Sequence, residues 1–171
     1  MIANSSAFIF LISNYISNKD TSNEIIKRIK FFEEEMNNRV PINDINISNY
    51  NLALEKALQH IIYADNILDW CMQLKLKIKA MKHVVEKKLE IETINVTKEI
   101  EQLDELAEIT TKTERTARKN FILKDKLINI TQRYEDVKLD YETIEMFINS
   151  ANNMREARYA YYQAVKLTYK N

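Results

Sequence analysis

Glycine is absent from all 171 residues, proline occurs once, at Pro41, and cysteine once, at Cys71. Each shortage removes a class of structure. Without glycine, tight turns at positive φ, strand bulges and phosphate-cradling loops lose their usual residue, which leaves all-α as the comfortable fold class. A single cysteine excludes an internal disulfide and fits a reducing compartment. Beside Trp70, it reads as a small buried hydrophobe. Long apolar runs are missing too. The stretch 7–12 is too short to span a bilayer, and no positive residue precedes it as a secretory signal would require, so a soluble, cytoplasmic protein is expected. The 25 basic residues balance the 25 acidic ones, so no overall field draws the chain to DNA or to an anionic membrane, although local patches could.

Catalytic constellations are equally scarce. His60 and His83 are far apart in sequence and form no His-Glu-x-x-His arrangement, and one cysteine cannot complete a zinc site with them. Serines stand only in polar punctuation, and the lack of glycine leaves neither a nucleophile elbow nor a P-loop. Neither an enzyme, nor a cofactor, nor a metal is expected.

What the chain does contain is helical periodicity. From Leu127 onward, Ile130, Tyr134, Val137, Tyr141, Ile144, Ile148, Ala151, Arg155, Arg158, Tyr162, Val165 and Tyr169 follow at steps of three and four, a coiled-coil seam. At 1.5 Å per residue this seam would be on the order of 65 Å long. Arg155 and Arg158 stand where a bundle core is normally apolar, so the seam changes partner or ends there. A second long helix begins near Ser48, with Leu54, Leu58, Ile61, Leu68, Cys71, Leu74, Ile78, Met81, Val85 and Leu89 at helical spacing, and is expected to continue past Ile100, Leu103 and Leu106. The strand-like alternation from Leu74 to Lys79 is too short against that background to mark a strand.

Ahead of these helices, 7–16 predicts a short helix, and Thr21-Ser22-Asn23-Glu24 reads as a capping box opening another that should fray at Asn37 and Asn38. Residues 41–51, rich in asparagine around Pro41, read as a linker. Thr113-Glu114-Arg115-Thr116 is the expected restart after the breaker at 109–113. The expected organisation is an N-terminal helical arm (1–40), a linker (41–51) and an antiparallel pair of long helices (52–171), assembling into an oligomeric helical bundle.

Charge is segregated along the pair. Residues 73–88 hold six lysines (75, 77, 79, 82, 87 and 88) against Glu86, a net of +5; residues 89–108 hold seven acids against Lys98, a net of −6; residues 112–126 hold six bases against Glu114 and Asp125, a net of +4. In a hairpin turning near 111, the acidic stretch faces the second basic one, and the lysines at 75–88 are left without a sequence-local partner. A phosphate backbone is the natural ligand for such a block, because it is bound without reading of sequence. Trp70 precedes the lysines, and Tyr159, Tyr161, Tyr162 and Tyr169 mix with Arg155, Arg158 and Lys166, so aromatics are near the bases but not interleaved with them.

Thr116-Ala117-Arg118-Lys119, then Phe121-Ile122-Leu123-Lys124-Asp125, Tyr141-x-x-Ile144-x-x-Phe147-Ile148, Met154-Arg155-x-x-Arg158 and Tyr162-x-x-Val165-Lys166 resemble the UvsY-like recombination mediators of T-even-type and related phages. The resemblance covers roughly 113–167, with a fainter echo over 63–88. It implies a homo-oligomeric accessory protein that binds single-stranded DNA and helps load a RecA-type recombinase onto strands coated by single-stranded DNA-binding protein. The family's DNA-contacting Lys/Arg motif corresponds most nearly to Lys87 and Lys88. The aromatic pair and glycine that commonly follow are replaced here by Leu89-Glu90-Ile91-Glu92, so Lys75, Lys79 and Lys82 become alternative contacts, with Arg115, Arg118 and Lys119 at the start of the last helix. Tyr134, Val137, Tyr141, Ile144, Ile148, Arg155, Arg158 and Tyr162 become the expected oligomer seam. Residues 1–51 have no counterpart in the family. The competing expectation is a structural helical protein of a phage virion or assembly pathway, whose charged stripes pair with another protein and whose location is the virion.

Overall fold

The computed structural model describes residues 6–36, 40–103, 106 and 108–168, and among these there is no strand. The helices are α1 (Ser6–Tyr15), α2 (Lys19–Met36), α3 (Tyr50–Glu101) and α4 (Lys112–Thr168), with a 3-10 turn at Ile42–Asp44. The stretch Leu74 to Lys79 is helical within α3. Asn37, Asn38 and Tyr169, to which the sequence assigned a frayed end and the last seam position, lie outside the described residues.

The starts of α2 and α3 are set by side chains that accept the free amides of a first turn. For α2 that side chain is Asn18, whose Oδ1 accepts from the Asp20 and Thr21 amides at 3.0 and 3.2 Å. The expected box at Thr21–Glu24 is therefore already inside the helix, where Glu24 pairs with Arg28. Ahead of α3, Asn46 Oδ1 accepts from the Ser48 and Asn49 amides at 3.0 and 3.2 Å, and Asn49 Oδ1 accepts from the Asn46 amide at 2.8 Å. Asn49 Nδ2 also donates to the Asp44 carbonyl at 2.9 Å. The asparagine-rich stretch at 41–51 is thus a folded connection. For α4, Thr111 Oγ1 meets the Glu114 carboxylate, and the Arg115 amide donates to the Thr111 carbonyl at 3.1 Å. The helix starts at Lys112, one residue before the expected restart at Thr113, and the Thr111–Glu114 contact is one between side chains.

α3 ends at Glu101, short of the expected run past Leu106. The Gln102 and Leu103 amides bond back to the carbonyls of Glu99 and Ile100 at 3.1 and 3.2 Å, tightening the last turn. Among the described residues none takes a positive φ.

The chain divides into two compact units, Met1–Lys77 with Glu142–Asn171, and Ile78–Tyr141. Both long helices contribute to each. In the first unit the α3 core row is Ala53, Ala57, His60, Ala64, Ile67, Cys71 and Leu74, all buried, at alternating steps of four and three. This corrects the row expected from the leucines by one position over 53–67: Leu54, Ile61 and Leu68 are half-buried flanks, and Leu58 is exposed. The physical reason is size. Alanine at 53, 57 and 64 lets the neighbouring backbone approach, and the bulkier residues then pack beside the seam rather than in it. Ala53 and Ala57 form one cluster with Tyr161 and Val165, against which Val40, Ile45, Tyr50 and Leu54 pack. The Tyr161 hydroxyl donates to the Val40 carbonyl at 2.5 Å, so the segment before α3 is tied to α4.

The N-terminal helices cover this unit. Phe8, Leu11 and Ile12 of α1 are buried, as are Ser22, Ile25 and Ile29 of α2, each set spaced on one helical face. Phe8 meets Phe147 of α4 edge-on, with ring centroids 5.2 Å apart, a favoured aromatic geometry. In the second unit, Ile78, Val85, Ile100 and Leu106 are buried together with Leu127, Ile130 and Val137. Lys126 reaches Glu99 at 2.9 Å and the Lys82 ammonium lies 5.2 Å from the Tyr141 ring centre, which fixes the antiparallel direction of the pair.

Candidate functional site

The lysine block does not stand free of partners. Lys75 pairs with Glu145 at 2.8 Å, Lys87 with Glu90 at 2.8 Å and Lys88 with Glu92 at 3.6 Å, while Lys82 sits over the Tyr141 ring. The expectation that residues 75–88 lack a local partner is therefore corrected: the acids that follow them come back within reach one helical turn later. Hydrogen bonding and the charge of Glu90 raise the Lys87 ammonium above its ordinary pKa. Lys77 and Lys79 are exposed and make no ion pair among the described residues. The pairs at 87 and 88 are exposed to water, where such contacts are weak and exchange readily for phosphate.

The expected facing of acidic and second basic stretches is present as the Glu99–Lys126 pair. Arg115 Nη2 donates to the Ile109 carbonyl at 2.6 Å and closes the connection. Arg118 lies 5.7 Å from the Phe121 ring centre, and Lys119 is half-buried. From the Glu99–Lys126 level, Lys119 lies seven residues toward the connection and Lys88 eleven residues away from it. About 27 Å of helix thus separates the two basic groups, and they do not form one surface.

The residues expected to hold an oligomer together are largely covered by this chain's own helices. Val137 and Ile144 are buried, and Tyr134, Tyr141 and Ile148 are half-buried. Past Ala151 the row shifts: Tyr161 is the buried tyrosine and Tyr162 a half-buried one, with Lys166 5.4 Å from its ring centre. Arg155 turns outward and bonds Asp65 from Nε to Oδ1 at 2.5 Å, and Arg158 is half-buried. Arg155, Glu156, Tyr159 and Ala160 line, with Ile61, a groove of about 410 Å³. The large apolar side chains left exposed in the second unit are others: Met81, Val84, Ile91 and Ile94 on α3, and Phe121, Ile128 and Leu139 on α4.

A cleft that the sequence did not single out lies in the first unit. Lys27, Arg28 and Phe31 of α2 meet Tyr63, Asn66 and Trp70 of α3 around a cavity of about 340 Å³. Each set occupies one helical face, by its spacing of three and four, and that spacing is the signal that could have found it. The Phe31 and Tyr63 rings contact edge-on at 6.1 Å between centroids. Phe31 is 51% exposed, whereas Tyr63, Asn66 and Trp70 are half-buried and so held by packing.

Among the described residues no group of three or more histidines, cysteines or acids stands where it could hold a metal, and no helix is long and apolar enough to cross a membrane. Burial pushes the Cys71 thiol up to about 12, so it stays protonated and inert at neutral pH. No known protein family, curated protein or solved structure matches this chain.

Proposed function

We propose that this protein is a non-enzymatic, homo-oligomeric accessory protein that binds single-stranded DNA and assists a RecA-type recombinase in displacing single-stranded DNA-binding protein. The observation that carries the reading is the lysine-rich stretch of α3: Lys77, Lys79, Lys87 and Lys88 are all exposed, spread around the helix with 77 and 88 on one side of it, two without an ion pair among the described residues and two in exposed pairs that phosphate can displace. The resemblance of 113–167 to UvsY-like mediators supplies the recombination role. Self-association is supported by Val84, Ile91, Ile94, Phe121, Ile128 and Leu139, each more than half exposed. So many exposed large apolar residues along a helix pair mark a surface for further helices. With Val137 and Ile144 covered from within, these back faces replace the α4 seam as the oligomer surface.

The test is retention of a labelled single-stranded oligonucleotide at two salt concentrations. Four phosphate contacts give a salt slope near −2.8, so a fourfold rise in salt weakens binding on the order of fiftyfold. Reversal of Lys77, Lys79, Lys87 and Lys88 to glutamate abolishes retention and leaves the oligomer mass unchanged. A second reading, a structural component of a virion or its assembly pathway, is favoured by the same exposed apolar rows. It predicts assembly that resists salt and no affinity for oligonucleotides.

A further inference from the structure

The α2–α3 cleft brings three aromatic rings and two cations to one opening, and its α2 wall belongs to a part of the chain outside the resemblance. We propose that it is a nucleotide subsite for single-stranded DNA, in which a base stacks on Phe31 and Trp70 while the adjoining phosphate sits on Lys27 and Arg28. The inference rests on the single-strand reading above and adds to it a stacking contact where that reading has phosphate contacts alone.

Four features point to a nucleotide. Phe31 presents its ring half in solvent, and the half-buried Trp70 lines the same cavity, which gives bases the aromatic surfaces that sequence-tolerant stacking uses. Asn66 lines the same cavity and carries both a donor and an acceptor for a base edge. Lys27 has no ion pair among the described residues, and Arg28 is held only by Glu24 across an exposed contact that phosphate can replace. Finally, Lys77 lies two helical turns beyond Trp70 on the same face of α3, about 10 Å along it, so a strand leaving the cleft meets a further exposed cation. A free phosphate would have no use for three rings, and an apolar peptide none for two cations.

Trp70 is the chain's single tryptophan, which makes the subsite visible in the intact protein by emission alone. Titration with oligo(dT) is expected to change Trp70 emission saturably. Phe31→Ala and Lys27→Glu, measured with a labelled oligo(dT), should each weaken binding by about fivefold or more, since loss of one stacked ring costs between about 5-fold and 150-fold. Both positions are exposed, so the two variants should melt with the parent protein, and Lys27→Glu keeps the test valid should Phe31→Ala not. Oligo(dT) binding with unchanged Trp70 emission and unchanged affinity in both variants overturns the cleft and leaves the α3 lysines standing. Absence of any oligo(dT) binding at low salt overturns the single-strand reading and the cleft with it. Thymidine monophosphate changing Trp70 emission at the same concentrations as the oligonucleotide overturns the strand assignment in favour of a free nucleotide.

Discussion

The two units are built from the same two helices, yet they bury very different interiors. In the first, α1 and α2 cover the pair, and Phe8, Ile12, Cys71, Ile144 and Val165 are sealed from water. The described part of the second unit is the pair and its connection alone; Ile78 and Ile100 are sealed there, while Leu127, Ile130 and Val137 retain 7–8% exposure. A lone helix pair can bury one stripe of each helix, so its back faces stay open whatever residues they carry. The difference teaches that the N-terminal helices, far from being an accessory arm, add Phe8, Leu11, Ile12, Ile25 and Ile29 to the core of the first unit, whereas the second unit keeps the back faces of both long helices open.

The sharpest way to break this contrast is to remove a sealed side chain. Phe8→Ala should destabilise the first unit by about 3–5 kcal/mol, read by urea denaturation. Cys71 provides a local reporter, because in the folded unit it should resist thiol reagents at pH 8 and react at the rate of unfolding. The pH sign follows from its raised pKa. Above the unfolded thiol's pKa the unfolded state has lost its proton while the folded state keeps it, so stability falls as pH rises from about 9 toward about 12. Next in size, Thr111→Ala removes the hydroxyl that meets Glu114 at the start of α4 and should cost about 1 kcal/mol or less, with faster amide exchange over 112–116 and no change over 144–165. Smallest is Lys126→Ala, which deletes an exposed pair and should change stability by about 0–1 kcal/mol. A larger loss there would mean that the second unit depends on charge rather than on its apolar stripe.

The α4 stripe was legible because large apolar residues mark it as far as Ala151. The α3 row was displaced by one position over 53–67, because its core residues there include three alanines and a histidine, whose places are decided by how closely two backbones approach. Asn18 was overlooked as the cap of α2 in favour of the Thr21 hydroxyl, and α4 starts one residue ahead of the restart expected at Thr113. For the cleft only half the signal was in the sequence: the spacing marks one face on α2 and one on α3, but nothing there assigns the contact that joins Lys27 to Trp70. Nor could local charge counting see that Lys75 meets Glu145.

The missing glycine has a consequence for the unfolded chain as well. An ordinary protein of this length would contain about twelve glycines, each of which widens the unfolded ensemble by about 0.4–1 kcal/mol relative to alanine. Without them the disordered chain samples fewer conformations and gives up less entropy on folding. A helix pair with as thin an interior as 78–141 can therefore remain ordered where a looser composition would melt, and the chain keeps an extended surface folded without having to bury it.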